Sequence, residues 1–306
     1  VKKNSEVKTQ PDTQHLRIGV TGASGFIGTA LCQALTQNGI TVLRLVRHEP
    51  TADCEVSWNP EESFEPDDRL EGLDALVHLA GAGIAAKRWT PARREVLLRS
   101  RVDGTRFLVE ALQRLDHPPT AFIQASAIGL YGNRGDEVLT EDSPQGEGFL
   151  AGLASAWEKA SEPIEHSGAR RICLRIGMVL CESGGVLARM KRPFRLGLGG
   201  RLGNGRHWVS WIELDDLVQI ILRCCTDSSL RGPINAVAPT PLTNRAFTAH
   251  LARRWHRPAI LPAPAWALKM AFGSMTSELL LASQRCIPAA LESAGHQFSH
   301  VSLKQH

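Results

Sequence analysis

Short apolar runs alternate along this chain with stretches of helical periodicity. The first run, Leu16-Arg17-Ile18-Gly19-Val20, leads directly into Thr21-Gly22-Ala23-Ser24-Gly25-Phe26-Ile27-Gly28. Beyond it, Ile27, Leu31, Ala34 and Leu35 recur at helical spacing until Asn38-Gly39 supplies a stop. Residues 41–46 form the next strand-like run, and residues 51–70 are acidic and irregular, with a short strand around Val56-Trp58. Residues 75–79 are continuously apolar, as in a strand covered on both faces of a parallel sheet. A long helix fits residues 91–115, with Pro91 in its first turn, followed by a strand at 121–125, a helix at 148–166 and a strand at 171–176. This order predicts an α/β, doubly wound parallel sheet (a Rossmann fold) with right-handed crossovers.

After residue 180 the texture changes. Gly184-Gly185 and Gly197-Leu198-Gly199-Gly200 mark loops, residues 214–225 read as a helix, three prolines punctuate 258–264, and residues 266–281 are helical and apolar. The expected organisation is a disordered leader over residues 1–15 and a dinucleotide-binding domain over 16–180, to which 208–240 return. A smaller α+β lobe takes 181–207 and 241–306.

The glycine-rich turn carries the first candidate chemistry. A strand that ends in such a turn and opens into a helix holds a dinucleotide by its diphosphate. Gly22 allows the tight turn, Gly25 lets the backbone approach the diphosphate, and Gly28 lets the helix lie close to the sheet. Gly22, Ser24, Gly25, Phe26 and Ile27 are therefore the expected cofactor contacts. The end of the second strand meets the adenine ribose in this fold. There the chain reads Leu45-Val46-Arg47-His48, with no carboxylate at the tip and Glu49 two residues after the arginine. A guanidinium grips a 2′-phosphate, whereas a carboxylate takes a 2′-hydroxyl. Arg47 thus favours NADP(H) over NAD, and Glu49 keeps NAD in view. Leu79, Ala80 and Gly81 form the next wall of the groove, with His78 as a structural histidine of a buried strand, and Arg175 completes the expected cofactor set.

Composition narrows the class. The 306 residues are 43% hydrophobic and 22% charged, with a net charge of +4, as in a globular protein. The basic residues are scattered without interleaved aromatics, which argues against a nucleic-acid surface. No apolar run is long enough to cross a bilayer. The seven cysteines lack metal-ligand spacing, so no metal is expected, and a reduced, cytoplasmic setting fits them.

Four further motifs give the chain a resemblance. They are His78-Leu79-Ala80-Gly81, Val102-Asp103-Gly104-Thr105, Leu130-Tyr131-Gly132 and Trp211-Ile212-Glu213-Leu214-Asp215-Asp216-Leu217. With the turn at 21–28, they resemble the extended short-chain dehydrogenase/reductase superfamily. Lys87-Arg88-Trp89-Thr90, the run 135–140, the run 193–200 and Ser283-Gln284-Arg285 are similar to its epimerase-like subfamily with a C-terminal extension of its own. The resemblance spans about Leu16 to Leu303. It implies a small-molecule substrate, nucleotide-linked or phosphorylated, and a homodimer through the helices at 91–115 and 148–166.

The same resemblance exposes a departure. Active members of the superfamily use a Tyr-x-x-x-Lys pair on a helix, with a nearby hydroxyl, to move a proton. Here the resemblance puts Phe149 and Leu153 in those places, and neither transfers protons. Ser126 stands as the candidate hydroxyl and Tyr131, the only phenol in the chain, as a substitute acid. Glu158, Asp136, Glu137, Glu141 and His207 are further proton carriers, and Lys87, Arg88, Arg192, Arg195, Arg201 and Arg206 are candidate anion contacts. The expectation is an NADP(H)-dependent oxidoreductase or epimerase-like enzyme with a non-standard proton donor. The alternative is an NADP(H)-binding regulatory protein with little or no catalysis.

Overall fold

The computed structural model describes residues 15–303; the expected leader, save His15, lies outside the described residues. In chain order the first elements are β1 (Arg17–Thr21), α1 (Phe26–Gln37), β2 (Thr41–Val46), β3 (Glu55–Ser57), β4 (Ala75–His78), α2 (Pro91–Leu112) and β5 (Ala121–Ala127). Then come β6 (Val138–Leu139), α3 (Phe149–Ala160), β7 (Arg170–Ile176), β8 (Met178–Cys181), α4 (Gly185–Arg195), β9 (Trp208–Val209), β10 (Trp211–Glu213) and α5 (Leu214–Thr226). The last are β11 (Gly232–Ala236), β12 (Leu242–Thr243), α6 (Asn244–Arg254), α7 (Ala265–Phe272), β13 (Arg285–Cys286) and α8 (Ala289–Ser293).

Seven strands form one parallel sheet in the order β11-β7-β5-β4-β1-β2-β3. The order reverses beside β1, so a crevice opens between the carboxyl ends of β1 and β4, where ligands settle in this architecture. Strand periodicity sorts the core into two layers. Ile18, Val20, Val77, Ile123, Ile172 and Leu174 meet Leu31 and Leu35 of α1 and Leu217, Ile220 and Ile221 of α5. On the opposite face Leu43, Leu45, Leu76 and Phe122 meet Leu108, Val109 and Leu112 of α2. The remaining strands pair in twos: β10 with β8, β12 with β9 and β13 with β6.

The structure differs from the sequence pattern in several places. Gly184-Gly185 does not mark a loop alone, since α4 starts at Gly185 and tolerates Pro193 inside it. Residues 244–254 form α6, capped by Thr243, whose hydroxyl accepts from the Ala246 amide. The helix expected over 266–281 breaks at Gly273 (φ +63°), which separates α7 from a wide turn at Thr276–Leu280. The helix expected over 148–166 ends at Ala160 and continues only as a tight turn at Glu162–Ser167.

Candidate active site

Gly22 has φ +67°, and a Cβ there would lie 3.0 Å from the backbone of Leu79 and Ala80. A Cβ on Gly28 would lie 2.2 Å from the Gly22 carbonyl oxygen, so α1 can pack this close to the turn only without a side chain. Gly25 caps α1 without a side-chain hydrogen bond, and no acidic residue occupies the first turn. The start of α1 therefore has neither a side-chain cap nor an acid of its own first turn, and the helix dipole adds positive potential. Ser24 and Gly25 are exposed, and Phe26 and Ile27 half-buried. The Phe26 ring lies against Gly184 and Gly185, where Cβ atoms would come within 2.4 Å and 3.0 Å of it. The segment entering α4 thus borders the turn, a neighbour that the glycine pair in the sequence did not reveal.

Arg44 within β2 and Arg47 just after it separate cleanly. Arg44 pairs with Glu55 at 3.0 Å. Arg47 is exposed and has no partner among the described residues.

The wall after β4 is held by side chains along its length. Thr21 Oγ1 accepts from the amides of Leu79 (3.1 Å) and Ala80 (3.2 Å). Ser100 Oγ accepts from Ala82 N, Arg101 donates to Ala82 O, Arg93 to Gly83 O and the Trp89 indole to Ile84 O. Leu79 and Ala80 are half-buried and Gly81 is exposed. Behind this wall His78 is fully buried, with Nδ1 2.8 Å from Thr21 Oγ1 and Nε2 2.9 Å from Thr105 Oγ1. Thr21 already accepts two amides, so its proton goes to Nδ1 and the ring carries its own proton on Nε2. Burial, with Arg101 nearby, pushes the His78 pKa down to about 3. It is a neutral structural link and carries no second, acidic proton near neutral pH.

Ser126, Tyr131 and Arg175 come together with Glu158, but in a buried network. Ser126 Oγ donates to Glu158 Oε1 (2.6 Å), and Arg175 grips the same carboxylate through Nε and Nη2, both at 3.0 Å. Arg175 Nη1 donates to the Tyr131 hydroxyl and the Glu141 carbonyl, both at 2.9 Å. Tyr131 donates in turn to Asn235 Oδ1 at 2.7 Å. Burial works against the Arg175 charge, but Glu158 outweighs it and holds the pKa above the usual arginine range. Burial, partly offset by Arg175, pushes Tyr131 up to about 12. Arg175 has its guanidinium engaged at Nε, Nη1 and Nη2, and the Tyr131 side chain is fully enclosed.

Helix α3 carries no ionisable side chain from Phe149 to Trp157. Phe149 stacks edge-on with Trp89 at 5.3 Å, beneath the Arg94 guanidinium at 4.9 Å. Leu153 joins Trp89, Leu97 and Met275 in an apolar cluster. Glu278 accepts from the Leu150 amide at 2.8 Å.

Asp136, Arg206 and His207 meet elsewhere, with Asn133, Asn204 and Ser283, around a cavity of about 340 Å³. Asp136 accepts from the Trp208 indole at 2.7 Å, and burial lowers the His207 pKa. Lys87 and Arg88 are exposed, and the Arg88 guanidinium borders Gly273. Among the described residues no cluster of metal-ligating side chains exists, and no helix is long and apolar enough to cross a membrane.

Residues 18–236 match the NAD dependent epimerase/dehydratase family, and residues 263–305 match a domain of unknown function, DUF1731. An epimerase family protein of Mycobacterium bovis is 43% identical over 287 residues, 94% of each chain. The human epimerase family protein SDR39U1 (isoform 2), solved with NADPH, is 31% identical with a TM-score of 0.86, over 94% of this chain and 96% of that one. A Corynebacterium glutamicum structure described as a nucleoside-diphosphate sugar epimerase is 38% identical with a TM-score of 0.78. It matches 95% of this chain, which spans 57% of its length. The chain belongs to the NAD dependent epimerase/dehydratase family, as an extended short-chain dehydrogenase/reductase with the Rossmann sheet of that group.

Proposed function

We propose that the chain binds NADP(H) and acts as an oxidoreductase or epimerase-like enzyme on a small anionic or nucleotide-linked substrate. The residues fit the cofactor. The uncapped start of α1 and the bare backbone of Gly22 and Gly25 would seat the diphosphate, and Leu79, Ala80 and Gly81 would line the groove. The observation that carries the NADP(H) reading is the unpaired Arg47 beside an Arg44 already paired with Glu55. The human relative solved with NADPH supports the same choice. The cofactor supplies hydride chemistry when bound. The chain's own part is to hold it, orient it and keep water from the groove.

Ser126, Tyr131 and Arg175 serve this reading as positioning residues, since their polar atoms are spent on one another and on Glu158. The apolar run of α3 favours a second reading: a binding protein that senses NADP(H) and turns over slowly or not at all.

Titration with NADPH and NADH, alongside Arg47→Ala, tests the cofactor. Losing one charge-assisted contact to the 2′-phosphate should weaken NADPH by about tenfold or more and leave NADH unchanged. Equal affinities in both proteins would remove Arg47 from the site, and no binding of either would overturn the reading. Oxidation of bound NADPH by a carbonyl substrate then separates the enzyme from the sensor.

A further inference from the structure

Helix α2 presents Arg93, Leu97 and Arg101 at intervals of four, on one face. Arg101 stands over the Trp157 ring at 4.9 Å, and its Nη1 donates to the carbonyls of Ala82 (2.9 Å) and Leu97 (3.4 Å). Its Nε and Nη2 have no partner among the described residues, and no carboxylate pairs with it there. Burial, and then the charge of Arg93, lower its pKa to about 10. Arg93 spends Nη2 on the Gly83 carbonyl at 2.6 Å, and its Nε is buried without a partner.

Two cations therefore share one face with no counter-charge. A carbonyl anchor requires one N–H, and a neutral amide would supply it at a lower desolvation cost. Half-buried, uncompensated charge of this kind collects where a ligand completes it. The opening is at Gly81, which is exposed and whose Cβ position lies 3.2 Å from Arg101 Cζ and 3.4 Å from Nη2. Any side chain there would press on the guanidinium.

We propose that Arg101, supported by Arg93, binds an anionic oxygen of a ligand lying along residues 81–83. That oxygen belongs either to the dinucleotide diphosphate or to a phosphate or carboxylate on the substrate. The proposal rests on the groove assigned above, but its test does not require that NADP(H) be the cofactor.

Arg101→Gln keeps amide donors for the loop carbonyls and removes the charge. NADPH, NADH and inorganic phosphate are titrated calorimetrically into wild type and variant, with phosphate measured both alone and at saturating NADPH. If the diphosphate is the partner, the variant weakens NADPH and NADH alike by about tenfold or more, unlike Arg47→Ala. If the substrate anion is the partner, both dinucleotides hold and phosphate binding drops by a similar factor. Unchanged binding of all three overturns the proposal, as does a wild type that binds none of them. A wild type that binds phosphate but no dinucleotide, with phosphate lost in the variant, sustains Arg101 and refutes the cofactor reading alone. Should Arg101→Gln fail to fold, Gly81→Ala, which crowds the guanidinium without removing it, must reproduce the loss of anion binding.

Discussion

Gly25 and Gly28 lie three residues apart, yet alanine at each should do opposite things. A Cβ on Gly28 would sit 2.2 Å from the Gly22 carbonyl oxygen and 2.9 Å from Ala23 Cα. Relief requires α1 to move by about 1 Å, because ordinary contact begins near about 3.4 Å. The Gly22 oxygen cannot yield instead: it accepts the Gly25 amide at 2.9 Å, and Gly22 holds a left-handed φ. Overpacking of this kind costs up to about 3 kcal/mol, and alanine in a helix returns about 1 kcal/mol over glycine. The net loss is about 2 kcal/mol, a fall of roughly 5 °C in Tm for a chain of this size. Gly25 has φ −77° and ψ 170°, open to any residue, and its Cβ would meet only the Gly22 oxygen at 3.1 Å. Gly25→Ala should cost less than about 1 kcal/mol. If the start of α1 seats the diphosphate as proposed, the added methyl at this exposed turn should still weaken NADPH by about tenfold or more. Calorimetric melting and NADPH titration of both variants decide the matter. Equal destabilisation by the two alanines would refute the division of roles, and wild-type NADPH affinity in Gly25→Ala would refute the seat.

Two predictions concern pH. His78 has a folded pKa of about 3 against an ordinary value near 6.5. The unfolded chain therefore binds the proton first, and stability present above about pH 6.5 is lost as pH falls toward about 3. At about pH 5 the loss is about 2 kcal/mol, and any folded pKa below about 4 gives nearly the same value. Urea denaturation from about pH 7.5 to about pH 5 should show this slope and His78→Gln should lack it; identical slopes would refute it. Tyr131 is the only tyrosine, so tyrosinate absorbance reports on one group. Its pKa is raised to about 12, so native protein should ionise about two pH units above denatured protein, and stability should fall from about pH 10 upward. A native midpoint near pH 10 would mean that the phenol is open to solvent.

Most of the sheet was legible because its strands are short, mainly apolar runs, while the edge strand β11 (Gly232-Pro233-Ile234-Asn235-Ala236) gave too little apolar signal to read. The run at 41–46 matches β2 end to end, and β1, β4, β5 and β7 lie within two residues of expectation. Helix α4 was hidden by Gly184-Gly185, whose missing side chains answer a contact with Phe26 far away in sequence. Helix α6 buries only Phe247 and Leu251 as large apolar side chains, too thin a stripe to read. The glycine turn and Arg47 could be proposed from sequence because each lies in one local segment. The Glu158–Arg175 pair could not, since it depends on how α3 registers against β7, 17 residues away. The same limit hid Arg101: spacing along α2 aligns it with Arg93, but only the packed loop shows that both lack a counter-charge.

The site is built unevenly, and the unevenness bears on chemistry. The wall at 79–84 receives side-chain hydrogen bonds from Thr21, Ser100, Arg101, Arg93 and Trp89. That many anchors hold this wall in one shape, and preorganisation of that kind lowers the cost of binding for a surface that takes a ligand. Helix α3, by contrast, turns Phe149 and Leu153 toward Trp89 and Leu97, and Ala154 toward the Tyr131 cluster. Its first acid, Glu158, cannot be spared. Freeing its carboxylate would leave Arg175, which is 8% exposed, as a buried cation without its partner, at a cost of about 3–5 kcal/mol. Ser126 is engaged with Glu158, and Tyr131 with Arg175 and Asn235, which favours a proton carrier on another group of the chain or on the substrate itself.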